Sequence, residues 1–201
     1  MTDIPKQKRA QTTRKHILDA GLTLFTRNGY HHTSSKKIAA EAGVATGTFY
    51  NHFVDKKALL LALHREHVIA VHREIELFFE QMKENKIPQD SREMMREMVA
   101  LIFRTHQFGP ALHRELHILS LTDAEFAASM RTERETSHEK LALALTPFSN
   151  QLRVDNFKTA NILVGMTVEA VVHSIITDPQ PVDEHRLLDA LADMLHRYLF
   201  R

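Results

Sequence analysis

Residues 46–52, TGTFYNH, bring hydroxyl, amide and imidazole side chains together within about two helical turns. These groups donate and accept hydrogen bonds, and one glycine, Gly47, stands among them. The chemistry that this set predicts is recognition of a polar surface rather than the making of a covalent bond. Gly47 weakens a helix by about 1 kcal/mol relative to alanine, which indicates either close approach of the backbone to another surface or an ordinary tolerated glycine.

Two short helices joined by a turn are predicted to position these side chains. Gly43 is the expected left-handed C-cap of the first helix, and the second helix runs from Ala45 or Thr46 to about His52. The first helix has hydroxyl-bearing N-cap candidates and a narrow apolar stripe, namely Thr33, Ser34 and Ser35 followed by Ile38, Ala39 and Ala42.

The two faces of the second helix are predicted to differ. Phe49 and Phe53 are four residues apart and turn inward, which leaves Thr46, Gly47, Thr48, Tyr50, Asn51 and His52 on the outer face. A short helix with a polar outer face, braced on a second helix, is the geometry that enters the major groove of DNA. An earlier helix from Thr12 to Asn28, ending at Asn28-Gly29, supplies the third layer that such a pair needs for a core.

The segments HILDAGLTLFTRNGY and IAAEAGVATGTFYNHFVDKKALL resemble the signature of the tetracycline-repressor (TetR) family of bacterial transcription regulators. The match runs from Arg14 to about Leu60. The resemblance implies an all-α fold of about nine helices, with an N-terminal helix-turn-helix domain at 1–55 and a helical effector-binding and dimerisation domain at 56–201. Beyond residue 60 the chain is similar to the family only in its helical character.

The resemblance also implies roles for individual residues in DNA binding. The helix-start residues Thr33 and Ser34 are similar to residues that bind phosphate, and Lys56 matches a lysine that reaches phosphate. Thr46, Gly47 and Thr48 stand where the family meets base edges and backbone, and Tyr50 and His52 match positions on phosphate or thymine methyl groups. Three residues depart from the family pattern: Ala45 in place of a capping serine, which suggests Thr46 as N-cap; Asn51 in place of an aromatic residue; and Ser35 in place of a small apolar residue.

The distribution of charge agrees with DNA binding at one end of the chain. The 201 residues carry a net charge of only +1, but residues 1–60 hold ten Lys/Arg against four Asp/Glu, and the excess of acids lies beyond them. The cations from Lys6 to Lys15 are interpreted either as a flexible arm that adds non-specific DNA affinity or as a solubilising tail. Because there is no cysteine and no apolar leader, we expect a cytoplasmic protein without disulfides. The most apolar stretch, 162–176, is interpreted as too short to span a bilayer.

The remainder of the chain is predicted to be helical, with no sheet. Proline and glycine divide it into helices at about 55–85, 91–108, 110–121, 123–145, 155–177 and 183–200. The last two helices carry more apolar surface than one chain is expected to bury, and the resemblance implies that they pair with a second copy. The predicted dimer interface comprises Ile162, Met166, Glu169, Leu188, Leu191, Leu195 and Tyr198.

Fourteen histidines raise the possibility of a metal site, since His113 and His117 have the i, i+4 spacing of helical ligands. One such pair is expected by chance, and no HExxH pattern accompanies it, so we predict no metal and no cofactor. The pattern favours an effector-pocket lining over a metal site, although for each residue taken alone the core is the favoured interpretation. The residues of this predicted lining are Phe103, His106, His113, His117, Phe126, Met130, Met166 and His173.

Taken together, the sequence predicts a ligand-responsive homodimeric repressor that binds a palindromic DNA operator and is released by a small-molecule effector. Its expected partners are operator DNA, a second copy of itself and that effector, with no membrane. The alternative is a constitutive or metal-responsive DNA-binding protein without an organic effector. An enzyme is not predicted, because no nucleophile elbow, P-loop or dinucleotide fingerprint is present.

Overall fold

The computed structural model describes residues 6–84, 90–106, 110–178 and 181–201. Within these ranges the protein is all-α, as predicted, and it contains no strand of a sheet. The helices are α1 (Lys6–Asn28), α2 (Ser35–Glu41), α3 (Thr46–Tyr50), α4 (Lys56–Lys83), α5 (Ser91–His106), α6 (Pro110–Thr122), α7 (Ala124–Leu145), α8 (Phe157–Thr177) and α9 (Glu184–Leu199). A 3-10 helix at Thr146–Gln151 lies between α7 and α8.

Capping side chains set the starts of the last two helices. The Asn156 amide oxygen accepts a hydrogen bond from the Thr159 N–H at 3.0 Å, and the Asp183 carboxylate accepts from the two N–H groups after Glu184. The helices predicted from residues 155 and 183 therefore begin at Phe157 and Glu184. The end predicted for the fifth helix, at 108, lies outside the described residues.

The start of α1 differs from the prediction. The helix begins at Lys6 rather than Thr12, so the basic segment before Thr12 is helical and is neither a flexible arm nor an unstructured tail. The reason is local, because residues 6–11, KQKRAQ, are all strong helix formers that extend a helix already nucleated further along the chain.

Packing divides the chain into two compact units. The head unit comprises Met1–Val68 with Ala111–Thr122, and the body unit comprises Ile69–Pro110 with Asp123–Arg201. Residues 56–68 of α4 and most of α6 thus pack with the three N-terminal helices. The predicted functional division at residue 55 remains a prediction.

The head unit is organised around large apolar side chains with almost no exposed surface. Phe25, Ile38, Phe49 and Leu59 are each at most 2% exposed. Gly21 allows α1 and α4 to approach each other, since a Cβ at this position would lie 2.3 Å from Leu59 Cδ2. Nothing in the sequence patterns singled out Gly21, because its partner is 38 positions away in the chain.

The core of the body unit lies where α5 packs against α8 and α9. Methionines of α5, among them Met94 and Met98, meet the leucine stripe of α9. Two side-chain contacts join α5 to α9 at the surface, from Ser91 Oγ to His196 Nε2 at 2.9 Å and from Arg92 to Asp193 at 3.1 Å. The leucines of α9 are therefore buried within a single chain.

The helix α8 leaves several apolar side chains exposed, among them Leu163 and Met166. Its buried residues are Ala160, Asn161, Val164, Val168 and Val172, which follow helical spacing along one face. The helix is 21 residues long and, by length and apolar composition alone, could cross a membrane, as could the core helix of many soluble proteins; 28% of its most apolar segment is buried. The prediction that this stretch is too short to span a bilayer was wrong on length, because the helix extends past 162–176.

Two histidines of the body unit, buried His72 and half-buried His106, have lowered pKa values. His72 on α4 donates from Nε2 to Ser137 Oγ at 2.9 Å, because that hydroxyl gives its own proton to the Glu133 carbonyl. Burial lowers the pKa of His72 below 6.5; Lys140 lowers it further and Glu76 opposes the shift. Burial also lowers the pKa of His106, against the hydrogen bond to the Ile102 carbonyl and the nearby charge of Glu169.

We expect the body unit to lose stability in mild acid. An unfolded histidine binds its proton near pH 6.5, before these folded ones do, so the unfolded state gains protons first as the pH falls. The contribution of these two histidines to the free energy of unfolding is fully present above pH 6.5. It declines as the pH falls through that value toward the lowered pKa of the folded state. Urea unfolding monitored by circular dichroism at pH 7.5 and 5.5 measures the decline.

The double substitution His72→Gln/His106→Gln should reduce this pH dependence. His185→Gln, at an exposed position of α9, is the matched control and should leave it unchanged. A double variant that keeps the full wild-type difference between the two pH values would contradict the assignment.

Candidate nucleic-acid interface

Helix α2 is capped at both ends by local hydrogen bonds. Ser34 is the N-cap of α2, where its hydroxyl accepts from the Lys37 N–H at 3.3 Å. At the other end Gly43 has a φ of +68°, as predicted. The Gly43 N–H donates to the Ala40 carbonyl at 3.1 Å and the Val44 N–H donates to the Ala39 carbonyl at 2.9 Å, the pattern of a Schellman motif.

The helix α3 presents its two faces as predicted. Phe49 is fully buried and Phe53 is 5% exposed, with ring centroids 5.9 Å apart. The side chains of Thr46, Tyr50 and Asn51 are exposed, and those of Thr48 and His52 are half-buried. The N-cap of α3 is Ala45, with no side-chain hydrogen bond, so the suggestion that Thr46 takes this position was wrong.

Thr33 does not belong to the exposed surface. Its side chain is 2% exposed, and its hydroxyl donates to the Gly29 carbonyl at 2.8 Å, with the Leu24 carbonyl at 3.3 Å. The prediction that this hydroxyl contacts phosphate is therefore corrected, because the hydroxyl is buried and donates its proton to a backbone carbonyl just after α1. Ser34 is exposed and Ser35 is half-buried at the start of α2.

Lys56, predicted to contact DNA phosphate, also makes hydrogen bonds within the protein. Its ammonium group donates to the carbonyl oxygens of Tyr30 at 2.7 Å and Thr33 at 2.9 Å, and lies 4.2 Å from the Tyr30 ring centroid. Burial lowers the pKa of Lys56, while the charge of Glu115 opposes the shift. A Lys56→Ala variant would thus lose the two hydrogen bonds that join α4 to the loop before α2, in addition to any phosphate contact.

At Gly47 neither the packing of the protein nor the backbone conformation requires a glycine. A Cβ built there meets no atom within 4 Å, and the residue has no positive φ. The side chain would simply point into solvent. The requirement for glycine is then expected to come from a surface that approaches α3 from outside.

Gly47→Ala is expected to leave the fold intact or to stabilise it, by up to about 1 kcal/mol, while weakening DNA binding. The added methyl group occupies the space into which the DNA would come. Thermal unfolding and fluorescence anisotropy with duplex DNA measure the two effects separately. Equal DNA affinity in wild type and variant would indicate an ordinary tolerated glycine.

One helix outside the N-terminal segment contributes to the head unit in a way that the sequence did not reveal. Glu115 on α6 pairs with His31 Nε2 at 3.0 Å, and the ring of His113 lies edge-on to that of His67 at 5.8 Å. These residues are about 46 to 84 positions apart in the chain, so no local pattern could have found the contacts.

The residues predicted to line a pocket fall in both units. His113 and His117 belong to the head unit, and Phe103, His106, Phe126, Met130, Met166 and His173 belong to the body unit. Phe103 and Phe126 are buried, whereas Met166 is 56% exposed. Met166 therefore does not line the interior, because it lies on the face of α8 opposite Val164 and Val168. In the described part of the chain no group of three or more His, Asp or Glu side chains could hold a metal ion.

Part of the predicted dimer interface is also corrected. Leu188, Leu191 and Leu195 are 8%, 4% and 3% exposed and pack in the body core. Ile162 and Tyr198 are exposed, and Glu169 pairs with Arg134 on α7 at 3.5 Å. The exposed apolar residues of the last two helices are Ile162, Leu163 and Met166 on α8 with Met194 and Tyr198 on α9.

A capped helix, a Schellman turn and a helix with an exposed polar face, all set on a small apolar core, define a helix-turn-helix DNA-binding protein. Family models agree with this class over most of the chain. A model described as "Bacterial regulatory proteins, tetR family" matches residues 17–63, and one described as "Tetracyclin repressor-like, C-terminal domain" matches residues 90–199. The chain belongs to the TetR family of bacterial transcriptional regulators.

Some relatives match a short segment and others most of the chain: the repressor KstR of Rhodococcus jostii (strain RHA1) is 31% identical over 145 residues, which is 70% of this chain and 65% of KstR. The regulator UidR of Escherichia coli (strain K12) is 42% identical over 57 residues, which is 28% of this chain and 29% of UidR. The match thus spans less than a third of that relative.

Solved structures share the whole fold. A TetR-family regulator from Mesorhizobium loti has a TM-score of 0.75 at 18% identity, covering 96% of this chain and 99% of the other. FadR of Thermus thermophilus, solved with lauroyl-CoA, has a TM-score of 0.69 at 19% identity, covering 92% and 94%. At such identities the similarity shows the fold alone.

Proposed function

We propose that this protein is a homodimeric repressor that binds a palindromic operator through α3 and is released by a small-molecule effector. The observation that carries the DNA-binding part is Gly47, exposed on α3 with no neighbour in the fold that requires it. Thr46, Thr48, Tyr50, Asn51 and His52 surround it and supply donors and acceptors for base edges and phosphate. The protein would act in the cytoplasm, where it meets chromosomal DNA, and not at a membrane.

Dimerisation is supported by the exposed face of α8 and α9. About half of the side-chain surface is exposed at Leu163, Met166 and Met194. The same two helices also expose Ile162 and Tyr198. The two helices pack against each other, and exposed apolar side chains on neighbouring helices are typical of an interaction site in a soluble protein. A second copy is the partner that gives a two-fold arrangement of recognition helices, which half-sites about 34–36 Å apart require.

An effector site in the body unit is supported by its buried polar groups. Asn161 is 4% exposed and its amide donates to the His138 carbonyl at 2.7 Å, while its Oδ1 has no hydrogen-bond partner in the described residues. A buried acceptor left unpaired costs about 1–3 kcal/mol, and a polar effector group could satisfy it. FadR of Thermus thermophilus shows that a protein of this fold can bind an acyl-CoA. The pocket residues proposed here are Phe103, His106, Phe126, Met130 and His173.

The test is a selection of duplexes from a random-sequence pool, followed by fluorescence anisotropy at physiological salt. We expect an inverted repeat that binds at least 10³-fold more tightly than competitor DNA. Lauroyl-CoA and a panel of small metabolites are then added to the complex, and release by one of them supports the effector. No preference over competitor DNA would refute the proposed function, and preference without release by any compound would leave a constitutive repressor.

A further inference from the structure

Asn161 on α8 is a buried polar side chain whose hydrogen bonds are only partly made. Among the described residues three polar side chains are buried, namely Thr33, His72 and Asn161. The hydroxyl of Thr33 and Nε2 of His72 both have hydrogen-bond partners. The Oδ1 atom of Asn161 has none in the described part of the chain, although the residue is only 4% exposed. A buried acceptor in this state costs free energy that a bound donor recovers.

The hydrogen bond of the Asn161 amide establishes which of its two ends is unpaired. The amide nitrogen Nδ2 lies 2.7 Å from the backbone carbonyl oxygen of His138 on α7. In the reversed orientation of the amide, two oxygens would face each other at that distance, and neither of them can donate. The unpaired atom is therefore an oxygen that can only accept a hydrogen bond, and its side chain lies where α8 packs against α7.

The residues next to Asn161 on the inner face of α8 are apolar. Asn161 shares this buried face with Val164 and Val168, which are 7% and 5% exposed. One turn after Asn161, Gly165 admits the ring of His138 against the backbone of α8, since a Cβ at this position would lie 2.6 Å from His138 Nε2. The amide is thus placed among aliphatic side chains, and its neighbour on α7 is the histidine whose ring covers Gly165.

The charges of this part of α7 disfavour an anionic ligand. The two cations nearest to His138 along the helix, Arg134 and Lys140, pair with Glu169 at 3.5 Å and Glu76 at 3.8 Å. An anion beside the unpaired oxygen would therefore meet a second acceptor, the His138 carbonyl, and would lose its hydration without gaining an unpaired cation. A neutral donor meets neither penalty.

We propose that the effector is a neutral molecule whose buried end carries a hydroxyl or N–H group, and that this group donates to Oδ1 of Asn161 between α7 and α8. The inference rests on the proposed function, since it names the ligand class of the proposed effector site. A carboxylate, an ester or an ether at the buried end has no proton to donate and leaves Oδ1 unpaired. A site with a buried hydrogen-bonding group rejects an analogue that lacks the matching group more strongly than an apolar pocket does.

The test compares alcohols with their methyl ethers, which differ only in the replacement of the hydroxyl proton by a methyl group. The probes are 1-hexanol, cyclohexanol and benzyl alcohol, each beside its methyl ether, titrated into the full-length protein without DNA by calorimetry. We expect at least one alcohol to bind at least about tenfold more tightly than its ether. That alcohol should also release the selected operator, and its ether should not.

Asn161→Leu removes the acceptor while it keeps a side chain of similar volume. We expect this variant to bind the alcohol and the ether equally, with a Tm that is unchanged or higher, because a buried unpaired oxygen is lost. Thr167→Val is the matched control: it removes from α8 a hydroxyl that already donates to the Leu163 carbonyl at 2.8 Å. It should keep the wild-type preference for the alcohol.

A measurement on the wild type does not depend on the folding of any variant. In ¹H–¹⁵N spectra the bound alcohol should shift the side-chain amide resonances of Asn161, and the ether should leave them in place. The proposal is overturned if none of the three alcohols binds, if the preference for the alcohol survives in Asn161→Leu, or if the alcohol binds without releasing the operator. A wild type without preference whose Tm falls in Asn161→Leu would assign Asn161 to α7–α8 packing alone. A protein that selects no operator would instead refute the proposed function.

Discussion

Phe49→Ala is expected to unfold the head unit while the body unit stays folded. Phe49 is fully buried and its ring contacts those of Tyr50 at 5.4 Å and Phe53 at 5.9 Å. Replacing a buried phenylalanine by alanine costs about 3–5 kcal/mol, and a unit of this small size has little stability in reserve. Operator binding should disappear, and hydrogen exchange followed by mass spectrometry should show loss of protection in α1 to α3, in residues 56–68 of α4 and in α6, while the body unit stays protected.

Tyr50→Phe is the matched control for that result. Tyr50 is 54% exposed, and the substitution keeps the ring that touches Phe49 while it removes the outward hydroxyl. Its hydrogen exchange should be unchanged and its operator affinity lower. If Phe49→Ala kept protected head helices, or if Tyr50→Phe lost them, the assignment of the two faces of α3 would be inverted.

Met166→Glu/Met194→Glu is expected to give a monomer that hardly binds its operator. Both methionines are at least half exposed, on α8 and α9 respectively, so carboxylates are tolerated in the free chain. In an apolar interface each would be a desolvated charge without a partner. Because two half-sites bound together gain about 10²–10⁴ in apparent affinity, separation of the protomers should reduce operator affinity by that factor.

Sedimentation velocity and anisotropy measure the two consequences of this double variant. Leu121→Glu is the control, since Leu121 is 73% exposed on α6 and belongs to the head unit. It should remain a dimer with wild-type affinity. A Met166→Glu/Met194→Glu protein that sediments as a dimer would show that the interface lies elsewhere.

The faces of α3 illustrate what a helical pattern can predict. The four-residue spacing of Phe49 and Phe53 follows from the geometry of one helix, and both side chains are buried as expected. The same reasoning failed for Leu188, Leu191 and Leu195, which were assigned to a second copy and instead pack against α5. A periodic apolar stripe shows that a face is buried, but it does not identify the partner that covers it.

The polar residues were harder to assign than the apolar ones. Thr33 and Lys56 carry groups that suit phosphate, yet the hydroxyl and ammonium donate to carbonyl groups of the chain itself. These acceptors lie at the end of α1 and in the loop before α2, up to 26 residues away. Only the folded backbone brings such carbonyl oxygens within reach, so residue type alone could not distinguish a DNA contact from an internal one.

The sequence by itself determined that the chain is helical and where α1, α7 and α8 end, because caps, glycines and apolar spacing act over a few residues. Its signature residues also showed which family it resembles. It also determined the polar character of the outer face of α3 and the basic charge of the first sixty residues. The tertiary structure decided that α6 joins the head unit, that the α9 leucines serve the monomer core and that Met166 faces outward. These features depend on contacts between residues far apart in the chain, whose free energies no local pattern contains.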